Sequence, residues 1–267
     1  MIRLSRHLGT VLLLSALVFS FLGPHLQVEA STITEWTIPT AGSWPWDIAV
    51  SGGYVYFTEN VGNKIGCLDP STGVFTEWTI PTVGSYPYGI VASGGYVYFT
   101  EMLGNKIGRL DPSTGVFTEW TIPTAGSRPR GIAVSGSYVY FTEYQGNKIG
   151  RLDPSTGVFT EWTIPTGSSN PEGVAVSGSY VYFTEYWSQK IGRLDPAIGV
   201  FTEWTIPAAN YPFGIAVSGG YLYFTEYAGN LIGRLDPSTG VFIKWNVPTV
   251  SNLYFIAISG GCVYFTE

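Results

Sequence analysis

The tripeptide Phe-Thr-Glu ends at Glu59, Glu101, Glu143, Glu185, Glu226 and Glu267, so successive copies lie 42, 42, 42, 41 and 41 residues apart. A period in this range marks a repeat architecture, in which one supersecondary unit stacks on copies of itself to bury a face that it cannot bury alone. Tyr96 to Thr124 shows most of the unit: YVYFTEMLGNKIGRLDPSTGVFTEWTIPT.

Each repeat reads as four short extended runs. In the second, Gly89 to Ala92 is small and apolar, and Ser93-Gly94-Gly95 turns the chain. Tyr96 to Thr100 alternates β-branched and aromatic residues, which suits a pleated surface. Met102 to Asn105 is a second turn, where Gly-Asn supplies positive φ. Lys106 to Leu110 is the third strand. In Asp111-Pro112-Ser113-Thr114-Gly115 the Asp caps, the Pro fixes φ and the Gly takes the left-handed position. Val116 to Ile122 is the fourth strand. No helical period appears. Four antiparallel strands per repeat predict an all-β chain, a β-propeller of about six four-stranded blades. The fourth-strand tryptophans Trp36, Trp78, Trp120, Trp162, Trp204 and Trp245 read as packing between blades.

The two ends complement one another. Ile33 to Ile38 is a fourth strand without its first three, and Phe255 to Glu267 supplies a first and second strand only. The last blade is therefore completed by the N-terminal strand or is truncated. Cys67 and Cys262 fall in the first and last repeats, where a closed ring would make neighbours of them. A disulfide and two unpaired thiols both remain open.

Residues 1–30 read as a secretory signal peptide and 31–267 as the propeller. Arg3 and Arg6 precede the apolar run Val11 to Gly23, and Val28-Glu29-Ala30 fits a cleavage site. The run is short for a membrane span, although an uncleaved anchor is the alternative. The expected location is outside the cytoplasm, with no membrane span in the mature chain. A formal charge of −6 and the lack of a basic patch argue against nucleic acid. The expected state is a monomer with a small-molecule, glycan or peptide ligand.

Two sets of side chains are expected on one face of the disc. The first comprises the positions at the start of strand one, Trp46, Tyr88, Arg130, Glu172, Phe213 and Tyr254. The second comprises the Phe-Thr-Glu carboxylates Glu59, Glu101, Glu143, Glu185, Glu226 and Glu267. Trp44, Tyr86, Arg128 and Tyr211 rim this face from one set of loops, and Tyr144, Tyr186, Trp187 and Tyr227 from another. The face varies between repeats while the strands scarcely do, which is where specificity is usually placed. Aromatics beside carboxylates suit flat apolar rings and sugar faces. The carboxylates read either as ligands for a divalent cation or as acceptors for the neighbouring Gly-Asn loop. The only histidines, His7 and His25, lie in the signal segment. A histidine base, a Ser-His-Asp triad and a His-ligated metal are therefore excluded from the mature chain.

The motifs P-x-G-I-A, Y-F-T-E, G-N-K-I-G-R-L-D and T-E-W-T-I-P-T resemble those of the streptogramin B lyase (virginiamycin B lyase) family. The resemblance covers Ser31 to Glu267. It implies a propeller, seven-bladed in that family, and a magnesium-assisted elimination that opens a cyclic depsipeptide. It also implies Glu-Pro-His just before strand one, a second histidine one blade earlier, and a metal-binding Glu at the end of strand two. Only the last feature recurs here. The Glu-Pro-His position holds Trp44-Pro45-Trp46, Tyr86-Pro87-Tyr88, Arg128-Pro129-Arg130, Asn170-Pro171-Glu172, Tyr211-Pro212-Phe213 and Asn252-Leu253-Tyr254. Glu172, the one carboxylate at the histidine position, is the candidate base. The leading expectation is a propeller that binds without catalysis. The alternatives are an active lyase and a structural repeat domain.

Overall fold

Alternating side chains and correctly placed turn residues fold each repeat into a four-stranded antiparallel meander. The computed structural model describes residues 3–4, 11–13, 34–208, 210–248 and 252–267. Blade one contains Pro45–Ser51, Tyr54–Glu59, Lys64–Asp69 and Val74–Thr79. Blade two contains Pro87–Ser93, Tyr96–Glu101, Lys106–Asp111 and Val116–Thr121. Blades three, four and five repeat this order from Pro129, Pro171 and Pro212. A sixth sheet holds two strands, Ile256–Ser259 and Cys262–Phe265. This is the expected all-β propeller. No helix among the described residues is long and apolar enough to cross a membrane.

The turns follow local chemistry, with one correction. Ser113 donates from both N and Oγ to Asp111 Oδ1, at 2.9 and 2.6 Å, and Gly115 takes φ +73°. In the Gly-Asn turn, however, the left-handed residue is Asn105, at φ 55°. Its side chain donates to the Ile122 and Thr124 carbonyls and accepts from Ser127 N. Gly104 serves space instead: a Cβ there would stand 2.9 Å from Glu101 Oε2.

The core consists of separate inter-blade layers. One joins Tyr56, Ile65 and Ile80 of blade one to Ile90, Val97 and Phe99 of blade two, with Trp78 packed against it. The fourth-strand tryptophan is thus half-buried and reaches the next blade, where its indole covers Gly115. Trp36 packs on blade one in the same way, beside Ile38, Phe57 and Leu68, and covers Gly73. The N-terminal strand Glu35–Thr37 therefore takes the outer-strand place next to blade one. It hydrogen-bonds to Val11–Leu13, which pairs with Arg3–Leu4, and not to the sixth sheet. The rest of the segment read as a signal peptide lies outside the described residues. Cys67 and Cys262 are both free thiols.

The Thr of Phe-Thr-Glu ties neighbouring blades together. Thr142 Oγ1 accepts from Gly131 N at 2.9 Å and donates to Glu172 O of the next blade at 2.8 Å. Thr58, Thr100, Thr184 and Thr225 do the same. Each hydroxyl is enclosed, so Thr142→Val leaves two buried backbone groups unpaired. Urea unfolding is expected to show a loss of about 1–3 kcal/mol, with Thr142→Ser near wild type. A valine variant as stable as the parent would mean that the stitch contributes nothing.

Candidate functional site

A β-bulge builds the face. Pro129 pairs with Glu143 and Ile132 with Phe141, so Arg130 and Gly131 oppose Thr142 alone. The same shift recurs in the other four complete blades. A bulge re-aims a side chain and ends regular pairing. It releases Trp46, Tyr88, Arg130, Glu172 and Phe213 from the ladder at the mouth of the disc. The second bulge residue must be small in most blades, because a Cβ on Gly89 would stand 2.3 Å from Arg130 O. The residue before each bulge proline is left-handed: Trp44, Tyr86, Arg128, Asn170 and Tyr211 lie at φ 51–59°. Such backbone is uncommon for bulky residues. Here the following strand fixes it, as Asn60 N donates to Trp44 O and Tyr144 N to Arg128 O.

Three bulge residues from three blades meet over the opening. Tyr88 Oη donates to Glu172 Oε1 at 2.5 Å, and Arg130 pairs with Glu172 Oε2. Tyr88 and Glu172 are 6% and 2% exposed. The Arg130 guanidinium also stacks on Tyr144, 3.4 Å from the ring centroid. Burial pushes Glu172 above its ordinary value, while Arg130 and the Tyr88 hydroxyl oppose that push. Burial and the Glu172 charge hold Tyr88 well above the usual phenol range, as a neutral donor.

Aromatic rings extend the cluster to both sides. Trp46 lies 5.0 Å from Tyr88 and 5.8 Å from Tyr254. Phe213 meets Tyr254, Tyr186 and Tyr227. Tyr186 stacks on Tyr211 at 5.0 Å, and Trp187 donates from Nε1 to Tyr144 Oη at 3.0 Å. The rim positions Trp44, Tyr86 and Arg128 are not among these contacts. Trp44 and Trp187 remain 59% and 54% exposed.

The carboxylates at the end of strand two do not line the opening. Glu59, Glu101, Glu143, Glu185 and Glu226 are fully enclosed, and Glu267 is half-buried after the sixth sheet. The Gly-Asn loop does not satisfy them either. Among the described residues no donor makes a well-formed hydrogen bond to either oxygen of Glu59, Glu101 or Glu143; the nearby hydroxyls of Ser43, Ser85 and Ser127 only partly offset their burial. Burial and a facing strand-four carboxylate raise these groups to about 7, 8 and 8. Glu185 reaches about 7, mainly through burial. Blade five differs, because Lys244 replaces the facing carboxylate and pairs with Glu226 at 2.6 Å.

These residues do not fit a magnesium site. Magnesium needs oxygen ligands gathered octahedrally around one point. The enclosed carboxylates lie in separate blades, and Arg130 already engages Glu172. Among the described residues no three of His, Cys, Asp and Glu converge.

Asp47 was missed by the sequence reading. It stands where Gly89, Gly131, Gly173 and Gly214 stand in other blades, and that mismatch was the available signal. Its carboxylate accepts from Ile48 N at 2.8 Å and from Ile90 N of blade two at 3.0 Å. Burial raises it to about 7 against those hydrogen bonds. Phe255, which takes the same place in the sixth sheet, packs on Trp46 and Phe213.

The family model for the virginiamycin B lyase family matches residues 26–180. Selenomethionine-substituted virginiamycin B lyase from Staphylococcus aureus is 33% identical, with a TM-score of 0.78 over 84% of this chain and 78% of that one. A catalytically inactive histidine-to-alanine variant of virginiamycin B lyase from Staphylococcus aureus, with quinupristin, is 36% identical, with a TM-score of 0.82 over 88% and 81%. A streptogramin B lyase structure is 34% identical, with a TM-score of 0.79 over 84% and 76%. Among curated proteins there is no match.

Proposed function

The chain belongs to the virginiamycin B lyase family, and from that premise we propose a secreted member that binds a small peptide or glycan at its mouth without transforming it. The observation that carries this reading is the clamp on Glu172. A general base must come within reach of its substrate, and here Glu172 is 2% exposed, with Tyr88 and Arg130 holding one carboxylate oxygen each. A histidine-to-alanine change accompanies catalytic inactivity in the Staphylococcus aureus relative. This chain has histidine only at His7 and His25, ahead of the first blade. What the mouth retains is recognition chemistry. Trp46, Trp187, Tyr186 and Tyr211 offer flat rings, and the phenols and Arg130 offer donors.

The test uses quinupristin as the probe. Tryptophan fluorescence should report saturable binding by the protein that begins at Ser31. Chromatography and fragmentation should recover the probe intact in the presence of magnesium. Trp46→Ala and Trp187→Ala should each weaken binding about tenfold, equivalent to about 1.4 kcal/mol. A linearised product would overturn the reading in favour of an active lyase, and Glu172→Gln would then decide whether Glu172 is the base. Absence of saturable binding would remove this class of peptide from the proposal.

A further inference from the structure

At the end of the blades away from the mouth, a cavity of about 300 Å³ opens between blades two and three. Tyr96, Tyr98 and Arg109 line one side, and Ser137, Pro154 and Ser155 the other. That volume is at the lower end of ligand-sized sites, about 300–1,000 Å³. Arg109 is held rigidly. Its guanidinium lies 4.5 Å from the Tyr96 ring centroid and 5.4 Å from that of Trp120. One N–H is taken by Thr118 Oγ1 at 3.2 Å, and no other hydrogen bond of its donor fork occurs among the described residues. No ion pair of Arg109 occurs among the described residues, although the chain carries a formal charge of −6.

The arrangement recurs. Arg151 lies 4.5 and 5.4 Å from Tyr138 and Trp162 and donates to Thr160. Arg193 lies 4.5 and 5.5 Å from Tyr180 and Trp204 and donates to Thr202. Blade one breaks the pattern, with Cys67 in place of the arginine. Blade five keeps Arg234 but faces the two-stranded sheet, which supplies no Pro-Ser turn. Blade four turns through Pro196-Ala197 rather than Pro-Ser, so two complete frames remain, between blades two and three and between blades four and five.

We propose that the grooves between blades two and three and between blades four and five each hold one carboxylate-bearing sugar unit. A planar guanidinium edge matches a carboxylate in bidentate geometry, and the tyrosine faces and phenols suit a pyranose ring beside it.

The experiment is a calorimetric titration of the full chain with a galacturonic acid dimer, with the neutral galactose dimer and acetate as comparisons. The expected result is saturable binding of the acidic dimer at about two sites, with no heat from the neutral dimer. Ser137→Trp fills one groove from its exposed side and leaves the arginine stack intact. It should remove one site without moving the melting temperature. Arg109→Lys keeps the charge but loses the fork, and should weaken one site about tenfold. Trp46→Ala, at the mouth, should change nothing, which separates this site from the function proposed above. The inference is overturned by no binding with the fold intact, by equal binding of the neutral dimer, by acetate competing as well as the sugar, or by an unchanged site number in Ser137→Trp.

Discussion

Raising the pH from about 5 to about 9 is expected to destabilise the folded protein by several kcal/mol, on the order of 10 °C in melting temperature for a chain of this size. The cause is the set of enclosed carboxyls Glu59, Glu101, Glu143 and Glu185, raised from 4.5 to about 7 or 8. The folded state keeps protons that the unfolded chain releases near 4.5. Their contribution to stability is therefore fully present below 4.5 and is lost as the pH rises through about 7 to 8. Each group adds up to about 1.4 kcal/mol per pH unit in that window. Asp47, raised to about 7, has the same sign. The facing carboxylates act oppositely. Burial opposes ionisation of Glu119, but the Lys106 ammonium and the Thr82 donors hold it below its ordinary value. Its contribution is lost only as the pH falls below about 4.5, so maximal stability should lie at mildly acidic pH. Glu101→Gln and Glu143→Gln should flatten the profile between about pH 4.5 and pH 8. Lys244→Glu should steepen it, by giving blade five the like-charge pair of the others. Circular dichroism melts across the range measure this. A melting temperature constant from about pH 5 to pH 9 would show that these carboxyls are solvated or ionised throughout.

The blade, its four strands and their turns were legible because each rests on short-range chemistry repeated five times over. Asp111 and Gly115 are a local turn signal, and Tyr96 to Thr100 is a local strand signal. The unmatched ends suggested a composite last blade; Trp36 does stand against blade one as Trp78 stands against blade two, but its strand pairs with Val11–Leu13 and not with the sixth sheet. The side chains of the site were harder. Sequence placed Glu101 at the end of strand two, but its direction depends on a Gly104 that lets the turn close over it, and on Glu119 two strands away. The clamp on Glu172 joins residues 42 and 84 positions apart, which no local pattern encodes. Asp47 and Phe255 were visible only as departures from glycine in a column that had to be read for what it excludes.

The second large effect is expected at the glycine that follows the strand-three isoleucine. Gly66, Gly108, Gly150, Gly192 and Gly233 lie in the middle of a strand, where glycine weakens the sheet unless another group needs its space. A ring needs it here. Gly150 is the register partner of Phe141, and a Cβ on it would stand 2.1 Å from Phe141 Cζ. The ring lies flat over that glycine and meets the edge of Phe159 on strand four, with centroids 6.0 Å apart and planes at 87°. Phe141 is fully buried. Phe141→Ala should therefore lose about 3–5 kcal/mol. Gly150→Ala should lose about 1–3 kcal/mol or more, because the displaced ring has no free volume to enter. The two losses should not add. With the ring gone, the methyl that Gly150→Ala introduces fills part of the space that Phe141→Ala opens, so the double variant should be more stable than the sum predicts by about 1 kcal/mol or more. A double-mutant cycle in urea decides it. Additive losses would mean that the ring and the glycine are not one packing unit, and that the strand-three glycine answers to some other constraint in the blade.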